Sequence, residues 1–165
     1  MSIVVDILLL QTVSIAIASA SVALAAIYYI FQIRHQTRMR QTDLIMRIYA
    51  TFESIEFQTA ILRTTDLKFT RNREDYEKFG PDAKAAFNSI NLFFEGLGIL
   101  VKRKLINMDM VDDLASTDII CIWERHRPTI EGARGYFRRP QIYEYFEYLY
   151  DEMKKREQKL QQSKT

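Results

Sequence analysis

The chain has 165 residues, a formal net charge of +2 and 48% hydrophobic residues, with five glycines, three prolines and one cysteine. That length allows one ordinary domain, or a membrane segment plus one modest soluble domain. The small charge excludes a strongly basic nucleic-acid binder, the scarcity of glycine and proline excludes an all-β chain of many tight turns, and a lone Cys121 excludes an intramolecular disulfide.

Hydrophobicity is concentrated at the N-terminus, where no charged residue occurs from Ile7 to Ile33. Inside this run, "SIAIASASVALAAIYYI" (Ser14 to Ile30) admits three readings: a secretory signal ending at Ala18-Ser19-Ala20, a permanent anchor, or a helix–helix contact surface. A signal needs a positively charged start, but "MSIVVD" carries only Asp6, and the apolar run continues past Ala20. As a helix the run would extend about 40 Å at about 1.5 Å per residue, enough to cross a hydrocarbon core of about 30 Å. Tyr28, Tyr29 and Phe31 would then fall near one interface, where aromatic rings are favoured. Residues 1–33 are therefore read as an uncleaved transmembrane helix.

Arg34, His35, Arg38 and Arg40 follow the span at once, and the N-terminal side has no lysine or arginine. Basic residues stay on the cytoplasmic side, so the expected topology is single-pass in a cell membrane, N-terminus outside and remainder cytoplasmic. Arg34, Arg38 and Arg40 are also candidate contacts for anionic lipid headgroups, at about 1 kcal/mol each. Gln11, Ser14, Ala18, Ser21, Ala25, Tyr28 and Gln32 are spaced alternately by three and four, the spacing of a left-handed helix–helix seam. Small residues let backbones approach, and glutamine and serine can hydrogen-bond across the contact. The stripe predicts self-association or docking on another membrane protein.

From Arg34 to about residue 65 there is no proline or glycine, so the span is expected to continue directly into a stalk helix over 34–65. Ile45, Ile48, Phe52, Ile55, Thr59 and Leu62 give it an apolar face at helical period. A cytoplasmic helical domain over 66–160 follows. "TTDLKFTRNREDYEKFG" reads as a connection with a short helix around Glu74 to Phe79, and Gly80-Pro81 separates it from the next element. From Asp82 to about Lys104, Phe87, Ile90, Phe94, Leu97 and Val101 form one stripe, widened by Phe93 and Leu100. Lys84, Asn88, Asn91, Glu95, Gly98 and Lys102 form the opposing stripe. So broad a band implies packing on more than one neighbour, and Gly96 and Gly98 imply close approach of a helix or a membrane surface. A short helix is expected to end near Ser116 and another to run from Thr117 to Arg127. Pro128 should kink or restart it, "EGARGYFRRP" should turn, and Pro140 should open the last helix, lined by Ile142, Phe146, Leu149 and Met153. Residues 161–165 read as a frayed tail. The fold class is all-α.

No catalytic constellation is visible, and no cofactor or metal site is expected. His35 and His126 are far apart, no four-ligand zinc spacing occurs, and no Gly-rich loop follows a strand. Cys121 lies in the apolar run "DIICIW" and reads as a buried core thiol, which argues against a Cys121–His126 nucleophile pair. Glu95, Glu124, Arg125, Arg127 and Arg134 read chiefly as structural ion pairs between packed helices, with a ligand or effector site as the rival reading. The Tyr-rich "YEYFEYLY" reads as a packing face rather than a nucleic-acid stacking platform.

"FFEGLGILVKRKLINMDMV", "IICIWERHRPTIEGAR" and "RPQIYEYFEYL" together resemble a widespread uncharacterised family of short prokaryotic membrane proteins. The resemblance implies a single N-terminal span, a helical stalk and a compact helical cytoplasmic domain. The matching positions are Phe94, Glu95, Gly98, Trp123, Pro128, Ile130, Arg134, Tyr143, Phe146 and Leu149. The family carries no agreed activity, so the resemblance speaks to architecture and leaves function open. The expectation is a membrane-anchored helical interaction or regulatory module. An accessory subunit of a larger membrane complex, a small pore lined by the polar stripe, and a ligand-responsive domain signalling through the stalk remain open beside it. The expected partners are the lipid bilayer and, through the span, itself or another membrane protein, with no nucleic acid.

Overall fold

The computed structural model describes residues 2–162, with side chains from residue 10 onward, and contains no strands among those residues. Six helices follow one another: α1 (Ser2–Phe52), α2 (Ile55–Thr65), α3 (Arg73–Glu77), α4 (Pro81–Lys102), α5 (Met108–Phe137) and α6 (Glu144–Gln162). The chain divides into two compact units, Met1–Asp43 and Leu44–Thr165. The expected tail beyond residue 162 lies outside the described residues.

The first unit is helical throughout its described length, as a run without glycine or proline allows. Residues 10–40 are all exposed.

The second unit opens with the last turns of α1, where Leu44, Ile45, Ile48 and Phe52 pack on its core. The expected single stalk helix over 34–65 is corrected here, because the helix breaks at Glu53–Ser54. Ser54 adopts an extended conformation (φ −61°, ψ 143°), and its hydroxyl accepts from the Phe57 N–H at 3.2 Å, capping α2. Gln58 donates to the Phe52 carbonyl at 2.7 Å, satisfying an acceptor at the end of α1. The break lets Phe52 and Phe57 face each other with ring centroids 5.6 Å apart, and brings Phe57 to 4.5 Å from Phe93 on α4. Aromatic burial outweighs the uninterrupted helical propensity of this stretch.

Helix α4 is the hub, packing on α2, α5 and α6. Its stripe Phe87, Ile90, Phe94, Leu97 and Val101 is buried as expected, and Phe94 stacks on Phe146 of α6 at 4.8 Å. Each such side chain contributes about 1.5–3 kcal/mol by leaving water. The opposing stripe is not wholly polar surface, since Asn91 and Gly98 are also buried. A Cβ on Gly98 would overlap the Tyr145 backbone carbonyl, so the glycine admits close approach of α6. Gly96 has nothing within 4 Å of a built Cβ, and nothing in the structure explains a glycine there.

Helix α5 starts at Asn107, whose side chain accepts from the Asp109 N–H at 3.0 Å. The expected break near Ser116 appears as a kink at Ala115 (φ −147°, ψ 17°). Pro128 was expected to kink or restart the helix, yet α5 runs through it to Phe137. The turn expected over "EGARGYFRRP" is shorter: Arg138 ends α5 in the left-handed region at φ 52°. The last helix begins at Glu144 rather than Pro140, because Tyr143 is also left-handed, at φ 54°. Cys121 is exposed, not buried. Ile119, Ile122, Trp123, His126 and Ile130 occupy the inner face of α5, and Cys121 falls off that face.

Candidate functional site

Two features stand out, one in each unit. The first is the surface of α1. Over Leu10–Phe52 it is long and apolar enough to cross a membrane, and its apolar window is unburied. Ser14, Ser19 and Ser21 donate to the carbonyls of Leu10, Ile15 and Ile17, each at 2.8 Å. These bonds satisfy the hydroxyls within their own helix, the arrangement a low-dielectric surrounding demands. Gln11, Ser14, Ala18, Ser21, Ala25, Tyr28 and Gln32 are all exposed and share one stripe of the helix. Tyr28 and Tyr29 meet edge to face at 6.0 Å near the end of the uncharged run. Arg34, Arg38 and Arg40 follow, all exposed. At about 100° per residue, Arg34 and Arg38 share one side and Arg40 lies on another, so the basic groups ring the helix.

The second feature is the α5–α6 corner, and it separates the charged residues singled out from the sequence. Glu95 and Arg134 converge on it. A single Glu95 oxygen (Oε2) accepts from the N–H groups of Tyr145 and Phe146 at 3.0 and 2.9 Å. The carboxylate thus caps the first turn of α6 from a neighbouring helix. Burial raises the Glu95 carboxyl above its ordinary range, while the two backbone hydrogen bonds oppose the rise. Arg134 donates to the Ile142 carbonyl at 2.9 Å and to Glu147 at 2.7 Å. Its guanidinium lies 5.8 Å from the Trp123 ring centroid. The other three charges sit elsewhere: Glu124 pairs with Lys154 at 3.1 Å, and Arg127 pairs with Glu131 on its own helix at 2.6 Å. Arg125 has its guanidinium 3.5 Å from the Thr65 hydroxyl. Among the described residues, no group of His, Cys, Asp and Glu side chains gathers as metal ligands.

Sequence reasoning missed a polar pair in the core. His126 is wholly buried, with Phe69 and Phe87 ring centroids each 4.7 Å from its own. Its Nδ1 lies 3.2 Å from the Asn91 Oδ1, and Asn91 donates to the Phe87 carbonyl at 2.6 Å. With Oδ1 left as the acceptor, Nδ1 carries the proton. Burial, reinforced by the charge of Arg125, pushes the imidazole down to about 3. The neutral ring packs between Phe69 and Phe87. Helical spacing of Asn91 with Phe87 and Phe94 was the available signal.

These features define a class: an all-helical protein with one helix fit to span a bilayer and a compact helical unit. Within that class, the chain belongs to the family described as Domain of unknown function (DUF4760), which matches residues 15–153. Comparison with curated proteins gives no match, and comparison with solved structures gives none either.

Proposed function

We propose that the protein is a single-pass membrane protein, N-terminus outside, holding its helical unit at the cytoplasmic face as an interaction or regulatory module. One observation carries this reading: a helix without a charge from Ile7 to Ile33, exposed from Leu10 onward and followed directly by Arg34, Arg38 and Arg40. Exposed Leu, Ile and Val along this length would be costly in water at about 25 cal/mol per Å², and a bilayer removes that cost. The mechanism is positional. The span confines the helical unit to the membrane, the basic ring meets anionic headgroups, and the small-residue stripe sets association through Gln11, Ser14, Ala18, Ser21, Ala25, Tyr28 and Gln32.

The rival pore reading needs those polar groups to face a water column. Serine hydroxyls already bonded to their own helix need none, which favours packing against a second helix, either another copy or a subunit of a larger complex. Alkaline carbonate extraction of membranes tests the anchor: the chain should stay in the pellet at full-length mass. Release into the supernatant, or a mature N-terminus near Ser21, would refute it. Replacing Gln11, Ser14 and Ser21 with leucine should lower the mass of the gently extracted particle while leaving insertion intact. An unchanged mass with unchanged partners would remove the seam.

A further inference from the structure

Between α3, α4, α5 and the α5–α6 turn lies a cleft of about 350 Å³. That is within the range of small-ligand sites, about 300–1,000 Å³. Its walls are mostly apolar and aromatic, with Phe87 and Tyr76 on one side and Tyr136, Phe137, Ile142 and Tyr143 on the other. The segment carrying its charged groups is fixed in place. Thr129 on α5 donates to the Thr70 carbonyl at 2.9 Å, and Gly132 gives the Arg71 backbone room that a Cβ would take. Arg73 is held at the rim with its guanidinium 4.1 Å from the Tyr136 ring centroid and 5.3 Å from that of Phe137.

The charged residues lining the cleft are Arg71, Arg73 and Glu77. Glu77 is shared between Lys84 at 2.8 Å and Arg73 at 3.2 Å, and Glu131, the partner of Arg71, is shared with Arg127. Each carboxylate is therefore neutralised by two cations, and each guanidinium retains donors that its one carboxylate does not use. Tyr143, in the wall of the cleft, is held in the left-handed region at φ 54°. A bulky residue in the left-handed region costs about 1–3 kcal/mol and persists where the surroundings impose it. Here Glu95 and Arg134 fix the chain on either side of it. Burial pushes the Tyr143 hydroxyl up to about 12, so it stays a hydrogen-bond donor.

We propose that this cleft binds a small amphipathic anion, its aryl or acyl body against Phe87, Tyr76 and Ile142 and its carboxylate between Arg71 and Arg73. The site is independent of the membrane reading. The test uses the full chain in zwitterionic lipid nanodiscs, with fluorine NMR of 4-(trifluoromethyl)benzoate and of its neutral amide, and empty discs as the partition control. The acid should bind saturably, and the amide about tenfold more weakly. Arg71→Gln with Arg73→Gln should also weaken the acid about tenfold and leave the amide unchanged. Ala133→Phe, which fills the cleft, should abolish both, with emission from buried Trp123 reporting that the unit is folded. Equal binding of acid and amide, binding insensitive to the arginine substitutions, or no saturable signal above empty discs would each overturn the proposal.

Discussion

The two units use the same residue types in opposite ways. Ile17 and Leu24 on α1 are 62% and 68% exposed, whereas Ile90 and Leu149 in the second unit are both 0% exposed. Polar groups differ likewise. The α1 serines bond to their own helix, while Glu95, Thr129 and Arg134 bond across to other segments. Helix α1 leaves its apolar surface open and is long and apolar enough to cross a membrane. A unit whose polar atoms join one segment to another is built around its own core.

Substitutions at the core should therefore damage one unit and spare the other. Phe94→Ala removes a ring buried against Phe52, Phe57 and Phe146 and should cost about 3–5 kcal/mol of the second unit's stability. Urea titration followed by Trp123 emission measures this, since that residue is the chain's one tryptophan. The variant should still sediment with membranes; loss of both properties together would break the comparison.

Gly98→Ala comes next. Its methyl would meet the Tyr145 backbone, forcing α4 from α6 at up to about 3 kcal/mol by the same titration.

Acid should act through His126. Its folded value of about 3 lies below the ordinary 6.5, so the unfolded chain takes up a proton that the folded unit refuses. Stability from this group is intact above about pH 6.5 and declines as the pH falls toward 3. Between pH 7 and 5 the loss should be about 2 kcal/mol at about 1.4 kcal/mol per pH unit. The Glu95 carboxyl, raised by burial, works in the opposite direction, so the comparison is made against His126→Leu, in which this part of the decline should vanish.

Gly96→Ala sharpens the contrast with its neighbour at the smallest scale. With open space around a built Cβ, it should raise the urea midpoint by up to about 1 kcal/mol equivalent.

Legibility from sequence followed the physics of each element. The spacing of Phe87, Ile90, Phe94, Leu97 and Val101 marked the buried face of α4, because burial there follows helical period. The broken stalk was harder to read. No glycine or proline announces Glu53–Ser54, and the break arises from long-range packing of Phe52 and Phe57 on α4. Pro128 misled in the other direction, since a proline can stay within a helix where tertiary packing holds it. The exposure of Cys121 shows why an apolar run is a poor guide to burial on a helix: residues two apart face different ways. At the candidate site, Glu95 and Arg134 could be named in advance, but their meeting point could not. It depends on the left-handed Tyr143, to which no local residue pattern pointed. Asn91 was placed on a polar stripe because its neighbour on α5 is distant in sequence.

Sided labelling of Cys121 tests the central claim most directly, because this exposed thiol is the chain's sole cysteine. In spheroplasts of a bacterial expression host, a membrane-impermeant maleimide should leave it unmodified until the membrane is permeabilised, and then modify it fully. Full modification in intact spheroplasts would contradict an N-out span with its helical unit inside.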